Sequence, residues 1–240
     1  MMGYDIREVL PEVFRIPVPL EGNPLKELNS YLFRGSREAK QRNLLVDTGF
    51  RTEGCKKALL KGLEQLGVSM EDTDILLTHL HADHSGNAPE LIRPGGRVYI
   101  SREDYRFMDG TLQEHRSERF RENGIEESLL QAMLACTPSR TMAAPLSFRD
   151  YTLLEEGDVI PAGQYMLRAI WTPGHTPGHF CFEVCGTGAM LLGDHVLFDI
   201  TPNITDWWDV PDSLGDYLRS LDKLAAYSVT MPLPGHRESG

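Results

Sequence analysis

Three imidazoles and a carboxylate fall within the six residues His79-Leu80-His81-Ala82-Asp83-His84, where the apolar run Asp74–Thr78 ends and a glycine-containing turn begins. Such groups are costly to bury unpaired, and a bound metal is the simplest explanation for clustering them. Three more metal-ligand types follow the same local plan, a short strand-like run and a glycine: Thr172-Pro173-Gly174-His175, Leu192-Gly193-Asp194 and Leu233-Pro234-Gly235-His236.

The rest of the chain reads as strands and helices in two successive halves. Strand formers between Pro, Gly and Asn breakers predict strands at Glu12–Val18, Ser30–Arg34 and Asn43–Val46, the last running into Asp47-Thr48-Gly49. Apolar residues at Ala58, Leu59, Leu63 and Leu66 predict a helix over Thr52–Leu66, with Gly67 as its stop. Further strands are expected at Asp74–Thr78, Arg97–Ser101, Tyr151–Leu154, Tyr165–Trp171, His179–Val184 and Ala189–Leu192, and a last amphipathic helix at Ser213–Tyr227. The charged stretch Glu103–Ala135 is helix-like and broken at Asn123-Gly124, so a helical cap insertion is expected at about 102–144.

At 240 residues, 41% hydrophobic and 25% charged, the chain suits one globular domain spanning 1–240. A net charge of −11 argues against a broad grip on nucleic acid, and no partner of that kind is expected. The charged N-terminus lacks a signal-peptide apolar stretch and no segment approaches a membrane-spanning run, so the expected location is cytoplasmic, without membrane contact. Cys55, Cys136, Cys181 and Cys185 are scattered and read as reduced and mostly structural, with Cys181 and Cys185 as small core hydrophobes. The oligomeric state is open.

In order, His-x-His-x-Asp-His, Thr-Pro-Gly-His, Gly-Asp and Pro-Gly-His resemble the metallo-β-lactamase superfamily over nearly the whole chain, most closely its glyoxalase II and β-lactamase-like protein 2 group. The resemblance implies an α/β fold, an αββα sandwich. It implies that His79, His81 and His175 bind one metal, that Asp83, His84 and His236 bind a second, and that Asp194 bridges them. Asp47 resembles an outer partner of the ligands. Imidazole and carboxylate without thiolate suit two Zn²⁺, and the same donors can hold iron or manganese. Asp194, where class B1 enzymes resemble a Cys-containing site, points away from antibiotic hydrolysis. With the chain ending at Arg237–Gly240, the glutathione-binding tail of glyoxalase II is not expected.

Two close metals can share a hydroxide, with water's pKa lowered towards ~7, and present it to a carbonyl carbon, so the expected activity is hydrolysis of an ester, thioester or lactone of a small molecule, with Asp83 orienting the nucleophile. A phosphodiesterase using the same site and a metal-binding protein without turnover are the alternatives. Near the motifs, His179 suits a structural hydrogen bond, while His195, beside Asp194, is open to an outer role or substrate contact. Trp207 and Trp208 could wall a pocket or pack on the last helix. His115 reads as a solvated surface residue. Arg102, Arg106, Arg116, Arg119 and Arg121 could meet an anionic substrate or belong to a solvent face balanced by glutamates.

Overall fold

A computed structural model describes residues 5–109, 111–136 and 141–238. Its first sheet runs in sequence order through β1 (Arg7–Leu10), β2 (Val13–Pro19), β3 (Glu27–Phe33), β4 (Asn43–Val46), β5 (Thr73–Leu76), β6 (Val98–Ser101) and β7 (Thr152–Leu154). Pairing is antiparallel from β1 to β4 and parallel from β4 to β7. The second sheet contains β8 (Val159–Ala162), β9 (Tyr165–Trp171), β10 (Phe180–Val184), β11 (Ala189–Gly193) and β12 (Met231–Pro234), in the order β12-β11-β10-β9-β8. Only its β11–β12 pair is parallel.

Alternation along the strands sorts side chains into layers. Tyr31, Phe33, Leu44, Val46 and Leu76 from the first sheet meet Leu167, Ala169, Phe180, Phe182 and Leu191 from the second in the central core. The opposite parity of the first sheet, including Ile16, Leu32, Leu45 and Ile75, buries against Cys55, Leu59 and Leu63 of helix α1 (Glu53–Gln65) and against Ala82, Ala88 and Leu91. Those last three lie on the short helices α2 (Ala82–Ser85) and α3 (Ala88–Leu91). On the outer side of the second sheet, Ile170, Cys181, Met190 and Leu192 pack with Leu224. The layers are therefore helix, sheet, sheet, helix, as the resemblance implied.

The cap comprises α4 (Arg102–Arg106), α5 (Thr111–Glu122) and α6 (Glu127–Ala135). Residues 110 and 137–140 of the expected 102–144 segment lie outside the described residues. In the sequence reading the cap lies between the strands expected at Arg97–Ser101 and Tyr151–Leu154. β6 and β7 are parallel neighbours in the first sheet, so the cap occupies a crossover inside that sheet. Two strands, β1 and β8, escaped the sequence reading, and β12 was read only as the short run before Gly235 and His236. β1 is a short, charged edge strand; β8 carries Pro161 on the opposite sheet's edge; β12 carries Pro232 and Pro234 in its Met-Pro-Leu-Pro run.

The segments carrying the metal-ligand types follow the C-terminal ends of β5, β9, β11 and β12 and so gather on one rim of the sandwich. Helix α7 (Ser213–Ala225) presses against that rim. At Gly174, where φ is +132°, an added Cβ would stand 2.4 Å from Tyr217 Cβ and 2.5 Å from its Cα. We expect Gly174→Ala to lower unfolding free energy by about 1–3 kcal/mol through overpacking, measured by urea denaturation. Unchanged stability would show that the turn and α7 separate freely.

Candidate metal centre

At the end of β5 the chain leaves Thr78 and enters the turn with His79 and His81, whose Nε2 and Nδ1 atoms lie 3.1 Å apart. The turn after β9 brings His175 Nε2 to 3.2 Å from His79 Nε2. These three nitrogens form the first triad. Helix α2 carries the next ligands. His84 Nε2 lies 3.2 Å from His236 Nε2 beyond β12, and Asp83 Oδ2 lies 3.4 Å from His236 Nε2 and 4.0 Å from His84 Nε2. Asp194, at the end of β11, joins the triads: its Oδ2 is 3.6 Å from His175 Nε2 and 3.4 Å from His236 Nε2, and its Oδ1 is 3.3 Å from His84 Nε2. An added Cβ on Gly235 would meet Asp194 Oδ1 at 2.6 Å, so glycine there makes room for the carboxylate.

Hydrogen bonds orient the rings. His175 Nδ1 donates to the Asn203 carbonyl and His236 Nδ1 to that of Glu27, each at 2.8 Å. His84 Nδ1 lies 2.7 Å from Asp47 Oδ2. Thr78 donates its hydroxyl to Asp47 at 2.8 Å and can accept from His79 Nδ1 at 3.0 Å. In this arrangement the Nε2 lone pairs of the neutral His79 and His175 rings point at each other across 3.2 Å, a repulsive arrangement without positive charge between them. Asp194 Oδ1 is buried without a hydrogen bond. Ligands about 2.0–2.1 Å from a tetrahedral ion stand about 3.4 Å apart, close to the spacings here. The donor set therefore fits metal ions.

The electrostatics agree. Burial above all, with repulsion from neighbouring rings, holds His79 well below the usual imidazole range and His81 at about 3; burial also lowers His175. Burial also opposes charge on His84 and His236, but carboxylates outweigh it: Asp194 and Asp47 raise His84, and Asp194 with Asp83 raises His236 to about 10. Burial alone would raise Asp194, yet His236 and His84 hold it well below the usual carboxylate range. The site demands cationic charge that the first triad's imidazoles cannot supply.

Around the ligands, Asp47 also accepts Thr78 N–H at 2.9 Å, which ties the ends of β4 and β5 together. His179 takes Asp194 N–H on Nε2 at 3.2 Å and pairs Nδ1 with Thr172 Oγ1 at 2.9 Å. Its ring separates His79 from His195. His195 is buried against Tyr217, with neither ring nitrogen hydrogen-bonded, and burial lowers it to about 4. Trp207 lies against the first triad and the cap: its ring stacks 6.0 Å from that of His81, meets Phe107 of the cap edge-on, and donates its indole N–H to the His175 carbonyl. Trp208 stacks on His115 at 4.0 Å, so His115 is a packed residue rather than a free surface one.

The cap's arginines are engaged with carboxylates: Arg102 with Glu155, Arg106 with Glu103 and Asp209, Arg119 with Asp206, and Arg121 with Glu127. The Arg116 side chain lies outside the described ones. Sequence reasoning missed Asp104. Its buried carboxylate, on α4, accepts Leu80 N–H at 2.8 Å, Thr176 Oγ1–H at 2.9 Å and Gly178 N–H at 2.7 Å, and burial pushes its pKa up to about 7 against those bonds. The one signal was Ser101-x-x-Asp104 directly after an apolar strand, a helix-start pattern.

Comparison with known proteins finds the family description "Metallo-beta-lactamase superfamily" matching residues 27–236. A metallo-beta-lactamase family protein from Thermus thermophilus superposes with a TM-score of 0.81 at 32% identity, covering 96% of this chain and 75% of that one. Among curated relatives, the lactamase-like protein adaB of Aspergillus niger is 28% identical over 97% of this chain and 57% of its own length. A protein named atrochrysone carboxyl ACP thioesterase, from Emericella nidulans, is 23% identical over 97% of this chain and 57% of its own length. The chain thus spans little more than half the length of these curated relatives.

Asp47 orients His84 through a single short contact. We expect Asp47→Asn to weaken metal binding about 10- to 100-fold, read by competition with a chromophoric chelator. Wild-type affinity in the variant would show that the ring is held by other means.

Proposed function

Because the chain belongs to the metallo-beta-lactamase superfamily, we propose that it is a metal-dependent hydrolase with two zinc ions, cleaving a thioester, or the chemically related ester or lactone, of a small molecule. The observation that carries this reading is the pair of buried triads sharing Asp194. Bound ions of this kind lower the pKa of water towards ~7 and polarise a carbonyl oxygen, which is the chemistry acyl hydrolysis needs. The preference for thioesters draws support from the relatives named as thioesterases.

The chain's own residues supply the rest. Asp83 Oδ2 faces His236 at 3.4 Å, from where it can orient the attacking water and take its proton. Trp207 covers His81, shielding the first triad from bulk water, and links it to the cap. The exposed ion pairs Arg106–Asp209 and Arg119–Asp206 link the cap to the segment that carries Trp207, which favours the cap as the element that sets acyl-group choice. With four free cysteines and a net charge of −11, we place the protein in the reducing cytoplasm, acting on small molecules rather than nucleic acid. Among the described residues no helix is long and apolar enough to cross a membrane.

A panel of acyl thioesters, esters, lactones and phosphodiesters offered to the zinc-loaded protein tests the reading. Thioester turnover above all other classes is the expected result, and phosphodiester cleavage alone would replace it with the nuclease-like alternative. Asp83→Asn should remain folded by thermal melting while kcat falls about 10²- to 10⁴-fold. Wild-type turnover in that variant would remove Asp83 from the chemistry.

A further inference from the structure

We propose that Asp104 is the positioning residue for the first metal triad: its carboxylate staples the His79–His81 turn to the turn after His175 and thereby sets the spacing of all three imidazoles. The proposal rests on the reading of the triads as metal sites. His79 and His81 flank Leu80, whose N–H is bonded to Asp104 Oδ2; Thr176 and Gly178, which bond Oδ2 and Oδ1, follow His175 directly. These turns come from different sheets, one after β5 and the other after β9. One backbone bond, Phe180 N–H to the Thr78 carbonyl at 3.0 Å, joins the two segments directly, and Asp104 adds the acceptor on which the N–H groups of both turns converge.

Only a carboxylate suits this place. Two backbone N–H groups and a hydroxyl converge on two oxygens, and an amide in the same position would turn its NH₂ towards at least one backbone donor. The fit leaves no slack. Asp104 is fully buried, its own N–H bonds Ser101 Oγ at 3.0 Å, and an added Cβ on Gly178 would lie 2.2 Å from Ser101 Oγ and 2.3 Å from Asp104 N. Glutamate's extra methylene would have nowhere to go. The second triad does not use this staple. His84 is held by Asp47 and by the bonds of Thr48 to its carbonyl, and His236 by the Glu27 carbonyl. Loss of Asp104 should therefore act on one triad and spare the other. Metal sites lose affinity when ligand geometry drifts by a few tenths of an ångström, so the staple is felt at the ion before it is felt by the fold.

The test compares wild type, Asp104→Asn, Thr176→Val, which removes one of the three donors, and Thr176→Ser, which restores it. Each protein is loaded with zinc or cobalt, titrated with a chelator, and followed by metal stoichiometry, the cobalt visible spectrum and thermal melting. In Asp104→Asn, one of the two ions should be released at about 10- to 100-fold lower chelator concentration with an altered cobalt spectrum, while the other stays at wild-type affinity. Thr176→Val should shift the same ion by less, and Thr176→Ser should match wild type. Wild-type affinities and spectra in both Asp104→Asn and Thr176→Val, even with lower melting temperatures, would overturn the proposal and leave Asp104 a residue of the fold alone. Should Asp104→Asn fail to fold, the Thr176 pair decides by the same criteria. Wild type without metal would instead overturn the metal reading itself, and this proposal with it.

Discussion

Inward-facing lone pairs govern this structure. His79, His84, His175 and His236 each commit Nδ1 to a protein partner, Thr78, Asp47 or the carbonyls of Asn203 and Glu27, and so turn Nε2 towards other Nε2 atoms 3.2 Å away. Held that way without a cation, the neutral His79 and His175 rings would repel and Asp194 would be a buried carboxylate with one oxygen unbonded. Around this need the rim is built: strand ends that stop together, glycines that let backbone approach, and a tryptophan closing one side.

The sandwich makes the arrangement possible because both sheets end at the same rim. β5 and its turn supply four of the ligands, and β9, β11 and β12 supply one each. The sheets are tied near the site by polar bonds as well as by the core. Asn29 on β3 donates its side-chain amide to the carbonyls of Pro234 and Arg237, and its backbone N–H to that of Gly235. The Gly235 N–H in turn bonds the Gly193 carbonyl, beside Asp194. A site assembled across two sheets makes metal binding and folding one linked equilibrium, since the unfolded chain holds no preformed set of donors.

Much of the framework was legible in the sequence. Asn43–Val46 and Tyr165–Trp171 have the bounds their composition predicts, and the other apolar strands and both long amphipathic helices differ only at their ends. β3 begins earlier than its apolar residues suggest because Glu27 and Asn29, polar on paper, are engaged with Arg15 across the hairpin. β1 and β8 are edges, where one side of the ladder is free and the apolar signal is weak. The cap's helices read correctly as helices, but their place within the first sheet depended on β7 pairing beside β6, a long-range choice with no local trace.

The sequence by itself determined that seven metal-ligand types stand at strand ends beside glycines, because residue type and spacing are local properties of a chain. Tertiary structure decided what those residues face. Asp104 lies two dozen positions from Leu80 and more than seventy from Thr176 and Gly178, yet bonds all three; His195 neighbours Asp194 in sequence but its ring lies beside those of His179 and Tyr217; Trp207 lies against His81 and the cap. Hydrogen bonds and ring contacts act over a few ångströms of space and take no account of distance along the chain, so only the packed sandwich could reveal which of these side chains meet.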